Sequence, residues 1–184
     1  MNTQVTEHDL SPAVGILPNR PDPARYAGTA VNPRTFLATD YLNHFNEAIM
    51  LLELVAGMPE CVDELADWAP KTYEEHFEDS VFKDRHLCIE AYAFVDPAVR
   101  GRLEDVVSHL DAGISEVLFD MAAANDDQDR IAAIASARTE ELRTLIDRAS
   151  GIINGVDHKE GVAEEAEESE HIDATQAAID ALFD

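Results

Sequence analysis

Apolar positions recur at helical spacing along most of the chain. In "NPRTFLATDYLNHFNEAIMLLELVAG", Ala38, Tyr41, Leu42, Phe45, Ile49 and Leu52 fall on one face of a helix that Gly57 and Pro59 end. "PECVDELADWAP" reads as a short helix closed by Pro70. "KTYEEHFEDSVF" and "KDRHLCIEAYAFV" read as two more, carrying Tyr73, Phe77, Phe82, Leu87, Ile89, Tyr92 and Phe94. A longer helix starts sharply at "DPAVRG", with Asp96 as N-cap and Pro97 in the first helical position. Leu103, Val106, Val107, Leu110, Ile114, Val117 and Met121 form its stripe. "NDDQD" marks a turn into a last long helix with Ile131, Ile134, Leu142, Leu145, Ile146, Ala149 and Ile153. Two long amphipathic helices joined by a short connection predict an antiparallel hairpin, completed by the helix from Thr35 and the short aromatic helices. No alternating strand pattern and no internal repeat is present.

The fold class expected is therefore all-α, a helical bundle over residues 34–154. Residues 1–33 carry Pro12, Pro18, Pro21, Pro23 and Pro33 and predict a disordered, Pro-rich arm. After Asn154 the pattern breaks. Residues 155–171, "GVDHKEGVAEEAEESEH", combine glycines with a run of Glu, the composition of a flexible, self-repelling linker. About 17 such residues span on the order of 20–25 Å as a random coil, and more with repulsion.

Composition narrows the classes of partner. The 184 residues carry a formal net charge of −25, which sets nucleic acid and anionic membrane surfaces aside and favours basic protein surfaces. Solubility, or a saline cytoplasm, accounts for the same charge. Cys61 and Cys88 are the only cysteines and lack metal-like spacing, as reduced buried thiols of a cytosolic protein would. The N-terminal stretch has no basic start followed by an apolar run, so no signal peptide is expected. No apolar run reaches the roughly 18 residues of a membrane span. Cytoplasmic residence without membrane insertion is the expectation.

Residues 172–184 return to a helical pattern. Thr175, or Asp173, can cap a short helix in which Ile179, Leu182 and Phe183 share one face, flanked by Asp180. An isolated helix below roughly 12–15 residues is marginal, so this one should order only against a groove. A final helix docked on its own bundle is the competing arrangement.

"ATQAAIDALFD" resembles the peptide by which the flagellar motor switch protein captures the chemotaxis response regulator. That pattern is Ser/Thr, Gln, any residue, Glu/Asp, Ile/Val, Asp, Ala/Asp, Leu, Leu/Phe. Thr175, Gln176, Ile179, Asp180, Leu182 and Phe183 match it over about ten residues, whereas Ala178 replaces the usual acid. The chemotaxis phosphatase carries a related peptide beyond a bundle and a linker, a similar layout. The resemblance implies that Ile179, Leu182 and Phe183 enter a groove on a response-regulator receiver domain, with Asp180 pairing a receiver lysine. Loss of the acid at 178 removes a capping box with Thr175 and implies a weaker peptide.

Chemistry within the bundle is less marked. "DDQDRIAAI" resembles the helical phosphatase's catalytic stretch, but Ala133 stands four residues after Asp129 where an amide is needed. In "TDYLNHFNE", Asp40 and Asn43 have an acid–amide spacing similar to the other chemotaxis phosphatase family, and Glu47 shares their face. A solvated polar face is the plainer reading of these three. His44 lacks the basic and small followers of a phosphoaccepting histidine. The carboxylate–histidine sets His44–Glu47, Glu75–His76–Asp79 and His86–Glu90 contain no ExxH pair, so no metal and no cofactor is expected. The expected function is a chemotaxis or two-component signalling adaptor. Its terminal peptide binds a receiver, and its bundle binds a second protein or another copy. An aspartyl-phosphate phosphatase and a metal- or ligand-binding bundle are the alternatives.

Overall fold

The computed structural model describes residues 20–125 and 127–156. Six α-helices follow in order: α1 (Asn43–Leu54), α2 (Cys61–Ala66), α3 (Tyr73–Asp79), α4 (Arg85–Tyr92), α5 (Pro97–Ala122) and α6 (Gln128–Asn154). Two short 3-10 helices, Pro23–Tyr26 and Thr39–Leu42, precede α1, and no strand occurs among the described residues.

Local chemistry sets the helix ends. The Asp96 carboxylate accepts from the backbone N–H groups of Ala98 and Val99 at 2.8 and 3.3 Å, with Pro97 next in line. At α3 the Thr72 hydroxyl accepts from the Glu75 N–H, while the Glu75 carboxylate accepts from the Thr72 N–H at 2.9 Å. This reciprocal arrangement satisfies two donors that a helix start otherwise leaves open. Asp127 caps α6 by accepting from the Arg130 N–H at 3.1 Å. Gly155 closes it in the left-handed region (φ 69°), where a residue without Cβ is favoured.

The core is built from the stripes. Leu103, Val106, Leu110, Ile114, Val117 and Met121 of α5 are buried, as are Ile131, Ala135, Leu142, Ala149 and Ile153 of α6. Among the described elements these two helices make the broadest contact. Gly113 lets them close up: a Cβ there would lie 3.0 Å from Leu142 Cδ2. The α1 face lies on α6, with Phe45, Ile49 and Leu52 buried. Each such side chain contributes roughly 1.5–3 kcal/mol through removal from water. The ion pairs that bridge the helices, Arg138–Glu116 and Arg143–Glu53, are half-exposed and add little. Cys61 and Cys88 are buried, unbridged thiols, and burial pushes Cys88 up to about 12.

Two expectations need correction. A disordered arm through residue 33 does not describe residues 20–33. Prolines there forbid an α-helix but not burial: Pro23–Tyr26 forms a 3-10 turn, and Tyr26 and Val31 are each 1% exposed. The Tyr26 ring meets Phe36 edge-on at 5.3 Å, and Arg20 lies over the other aromatic partner, 4.2 Å from the Phe36 centroid. The first helix also starts later than its apolar face. Phe36 adopts φ 66°, and paired backbone bonds between Asn32 and the Phe36–Leu37 stretch make a tight turn. The face is buried all the same, because the 3-10 turn at Thr39–Leu42 delivers Tyr41 and Leu42 inward. Residues 1–19, most of the acidic linker and the terminal peptide lie outside the described residues.

Candidate functional site

The acid–amide pair of the sequence is placed where the 3-10 turn runs into α1. Asp40 is half-buried, and Asn43, the first residue of α1, is exposed. Both line a shallow cleft of about 280 Å³ whose far wall is Ile146, Asp147 and Ser150 of α6. Asn46, one turn after Asn43, joins them as a second amide, one that the acid–amide spacing does not single out. Glu47 is exposed and does not line the cleft. The assembled groups are two acids, two amides and the hydroxyls of Thr39 and Ser150, able to hold a water or a donor. None of the lining residues is cationic, so the cleft itself has nothing to offset phosphoryl charge.

His44 faces the other way. Its ring stacks on Trp68 at 5.2 Å and meets Phe45 edge-on at 5.1 Å, with His76 6.1 Å off. The Trp68 indole N–H donates to the His44 carbonyl at 3.2 Å, which holds the stack in place. Burial, and then the neighbouring His76, lowers the His44 pKa; burial likewise lowers that of His76. His44 Nε2 is enclosed without a partner, a poor position for accepting a phosphoryl group.

The carboxylates of the other candidate sets are engaged elsewhere. Glu75 belongs to the α3 cap, Asp79 pairs with Lys71 at 2.7 Å, and Glu90 pairs with Arg25 at 2.7 Å. Among the described residues, no group of three or more His, Cys, Asp or Glu side chains is placed to hold a metal ion.

A second, larger cavity was not legible from apolar periodicity. It encloses about 490 Å³ between the Pro70–Glu75 segment, Tyr41 and the first half of α5. Arg100, Leu103, Glu104, Val107, Ser108 and Asp111 form its α5 wall, all at helical three- and four-residue steps. Tyr41 and Tyr92 supply aromatic surface opposite. The Tyr41 hydroxyl donates to the Lys71 carbonyl at 2.8 Å, and the Tyr92 hydroxyl donates to Glu104 at 3.1 Å. Arg100 lies over the Tyr92 ring, 4.4 Å from its centroid, and donates to the Tyr92 carbonyl. Asp111 differs from its neighbours: one carboxylate oxygen is enclosed without a donor, and burial pushes its pKa up to about 6. An acid inside an α5 stripe that also carries Leu103 and Val107 was the available signal.

Thr175, Gln176, Ile179, Asp180, Leu182 and Phe183 lie outside the described residues. Comparison of the chain with protein-family models, curated proteins and solved structures found no match.

Proposed function

We propose that this chain is a two-component signalling adaptor, of the chemotaxis type, that captures a response-regulator receiver domain through Thr175–Phe183 while its helical body holds a second component. The carrying observation is the peptide itself, Thr175, Gln176, Ile179, Asp180, Leu182 and Phe183 in receiver-binding order after an acidic run. The helical body supports the reading in two ways. Its described core runs from Tyr26 to Ile153, and α6 ends in a left-handed cap at Gly155, ahead of the peptide in sequence. Apolar side chains also remain uncovered on it: Met50, Leu54 and Met58 at four-residue steps, and Phe119 on α5. The antiparallel hairpin of α5 and α6 is the rigid platform in this reading, and the acidic linker is the tether. Tethering raises the effective concentration of a weakly held receiver near the body into a useful range, up to millimolar. The negative linker speeds association with a basic face and makes it salt-sensitive. No described helix is long and apolar enough to cross a membrane.

Titration of a phosphorylated receiver into the full chain and into a chain lacking residues 173–184 tests the proposal. Binding should be lost with the peptide and weaken with salt; undiminished binding by the shortened chain refutes it.

A second reading, an aspartyl-phosphate phosphatase, is favoured by the convergence of Asp40, Asn43 and Asn46 on one cleft. An amide so placed could position a water for in-line attack, with the receiver supplying its own cations. Phosphate release from a phosphorylated receiver, reduced at least tenfold by Asn43→Ala, is its expected signature. Release no faster than the receiver's own rate rejects it.

A further inference from the structure

The cavity beside α5 has the makings of a ligand site unrelated to receiver capture. Its volume of about 490 Å³ falls in the range of small-molecule pockets. Its walls combine apolar and aromatic surface with a few polar groups whose commitments differ. Glu75 is held in the α3 cap, Glu104 accepts from Tyr92, and Lys71 is bound to Asp79. Arg100 is stacked on Tyr92 and bonded to its carbonyl. Asp111 is the lining acid with an enclosed oxygen and no donor. A carboxylate in that position is poorly solvated, and a charged donor is the group that relieves it best. Leu103, Val107 and the Tyr41 ring border the same cavity and offer an apolar seat for whatever carries that donor.

We propose that this cavity binds a small primary amine with an apolar body, its ammonium on the Asp111 carboxylate and its body against Tyr41, Leu103 and Val107. Three features favour a cation over an anion. The lining carries four acids (Glu74, Glu75, Glu104 and Asp111) against Lys71 and Arg100, an excess of two negative charges. Of the two cations, Lys71 is paired with Asp79 and Arg100 is bonded to the Tyr92 carbonyl, although the Arg100 Nε is enclosed without a partner. The chain's net charge of −25 further raises the local concentration of small cations. Aromatic rings beside an acid are also a favourable seat for an ammonium, whose charge the ring faces attract.

The test compares three probes with one body: phenethylamine, phenethyl alcohol and phenylacetate. Each is titrated into the full-length ¹⁵N-labelled chain and followed by amide chemical shifts. Saturable shifts confined to Leu103–Asp111 and Tyr41 are expected for the amine. The alcohol should bind about ten- to hundred-fold more weakly, the loss of a charge-assisted bond. Phenylacetate should show no saturable binding. Asp111→Asn should weaken the amine by a similar factor, and Glu53→Gln, remote from the cavity, should not. Equal affinity for amine and alcohol, a preference for phenylacetate, or amine binding unchanged by Asp111→Asn each overturns the proposal. Shifts outside the α5 wall that persist in Asp111→Asn report loose association with surface acids, and likewise count against it. The three probes are compared in the same unaltered chain, so that arm of the test does not depend on the variant.

Discussion

The most demanding test of the packing is the removal of a single oxygen from Tyr73. Its hydroxyl accepts from the Ala38 N–H at 2.9 Å, and Ala38 is 0% exposed, with Tyr73 itself at 3%. Tyr73→Phe preserves the ring, and with it the stack on Tyr92 at 4.5 Å and the contacts with Phe77 and Tyr41 at 4.8 and 5.1 Å. What disappears is the acceptor for a backbone donor that no water reaches. Stranding such a donor costs about 1–3 kcal/mol. The neighbouring Tyr41→Phe removes an equally short bond, 2.8 Å to the Lys71 carbonyl. There the freed carbonyl borders the cavity, where water can replace the lost partner, and the cost should be about 0.5–1 kcal/mol. Urea unfolding followed by far-UV circular dichroism measures both, provided the m values stay equal. For a folded body of this size each kcal/mol lowers Tm by roughly 3–6 °C. A Tyr73→Phe loss below about 0.5 kcal/mol, or one smaller than that of Tyr41→Phe, refutes the assignment of Tyr73 as the anchor of the turn before α1.

Three further outcomes follow from other sites. Gly155→Ala forces a Cβ into the left-handed region and within 3.2 Å of Thr35 Cγ2, and should cost about 1 kcal/mol in thermal melts, with little change in helix content. Burial raises Asp111 from 3.8 to about 6, so its contribution to stability is fully present below pH 3.8 and lost as pH rises through 6. Asp111→Asn should therefore stabilise the chain at pH 7, by about 1 kcal/mol once the carboxylate's partial contact with water is allowed for, and make no difference at pH 3.8 or below. His44 and His76 act in the opposite sense: both are lowered from 6.5, so their contribution is present above pH 6.5 and lost as pH falls through their folded values. Trp68, the chain's single tryptophan, stacks on His44, so its fluorescence should titrate below pH 6.5 and lose that transition in His44→Gln.

Much of the fold is written in local signals. Asp96–Pro97 announces α5 to the residue, because a capping carboxylate and a fixed φ act within one turn. The stripe from Leu103 to Met121 needs only helical periodicity, and the structure buries it as spaced, with Val107 turned partly toward the cavity. What stays hidden depends on distant partners. Nothing near Tyr26 in sequence indicates that its ring will meet Phe36, and nothing near Ala38 names Tyr73 as its acceptor. Phe36 is a bulky residue at positive φ, which local preference argues against and tertiary packing imposes. The candidate sites divide in the same way. Asp40, Asn43 and Asn46 are close in sequence, while Asp147 completes their cleft only through the packing of α1 on α6. The α5 cavity needs three segments at once, so the pattern along one helix shows only its wall.

The contacts around Thr35 draw the two ends of the described body to one place: its hydroxyl donates to the Ile153 carbonyl, Arg34 reaches the Gly155 carbonyl at 3.4 Å, and Arg20 donates to the Arg34 carbonyl at 2.9 Å. Entry and exit of the polypeptide thus share a doorway. A rewired gene that splices residue 156 to residue 20 through a few glycines, and opens the backbone between α5 and α6, should yield the same bundle. Beginning and end are, for this architecture, largely interchangeable addresses.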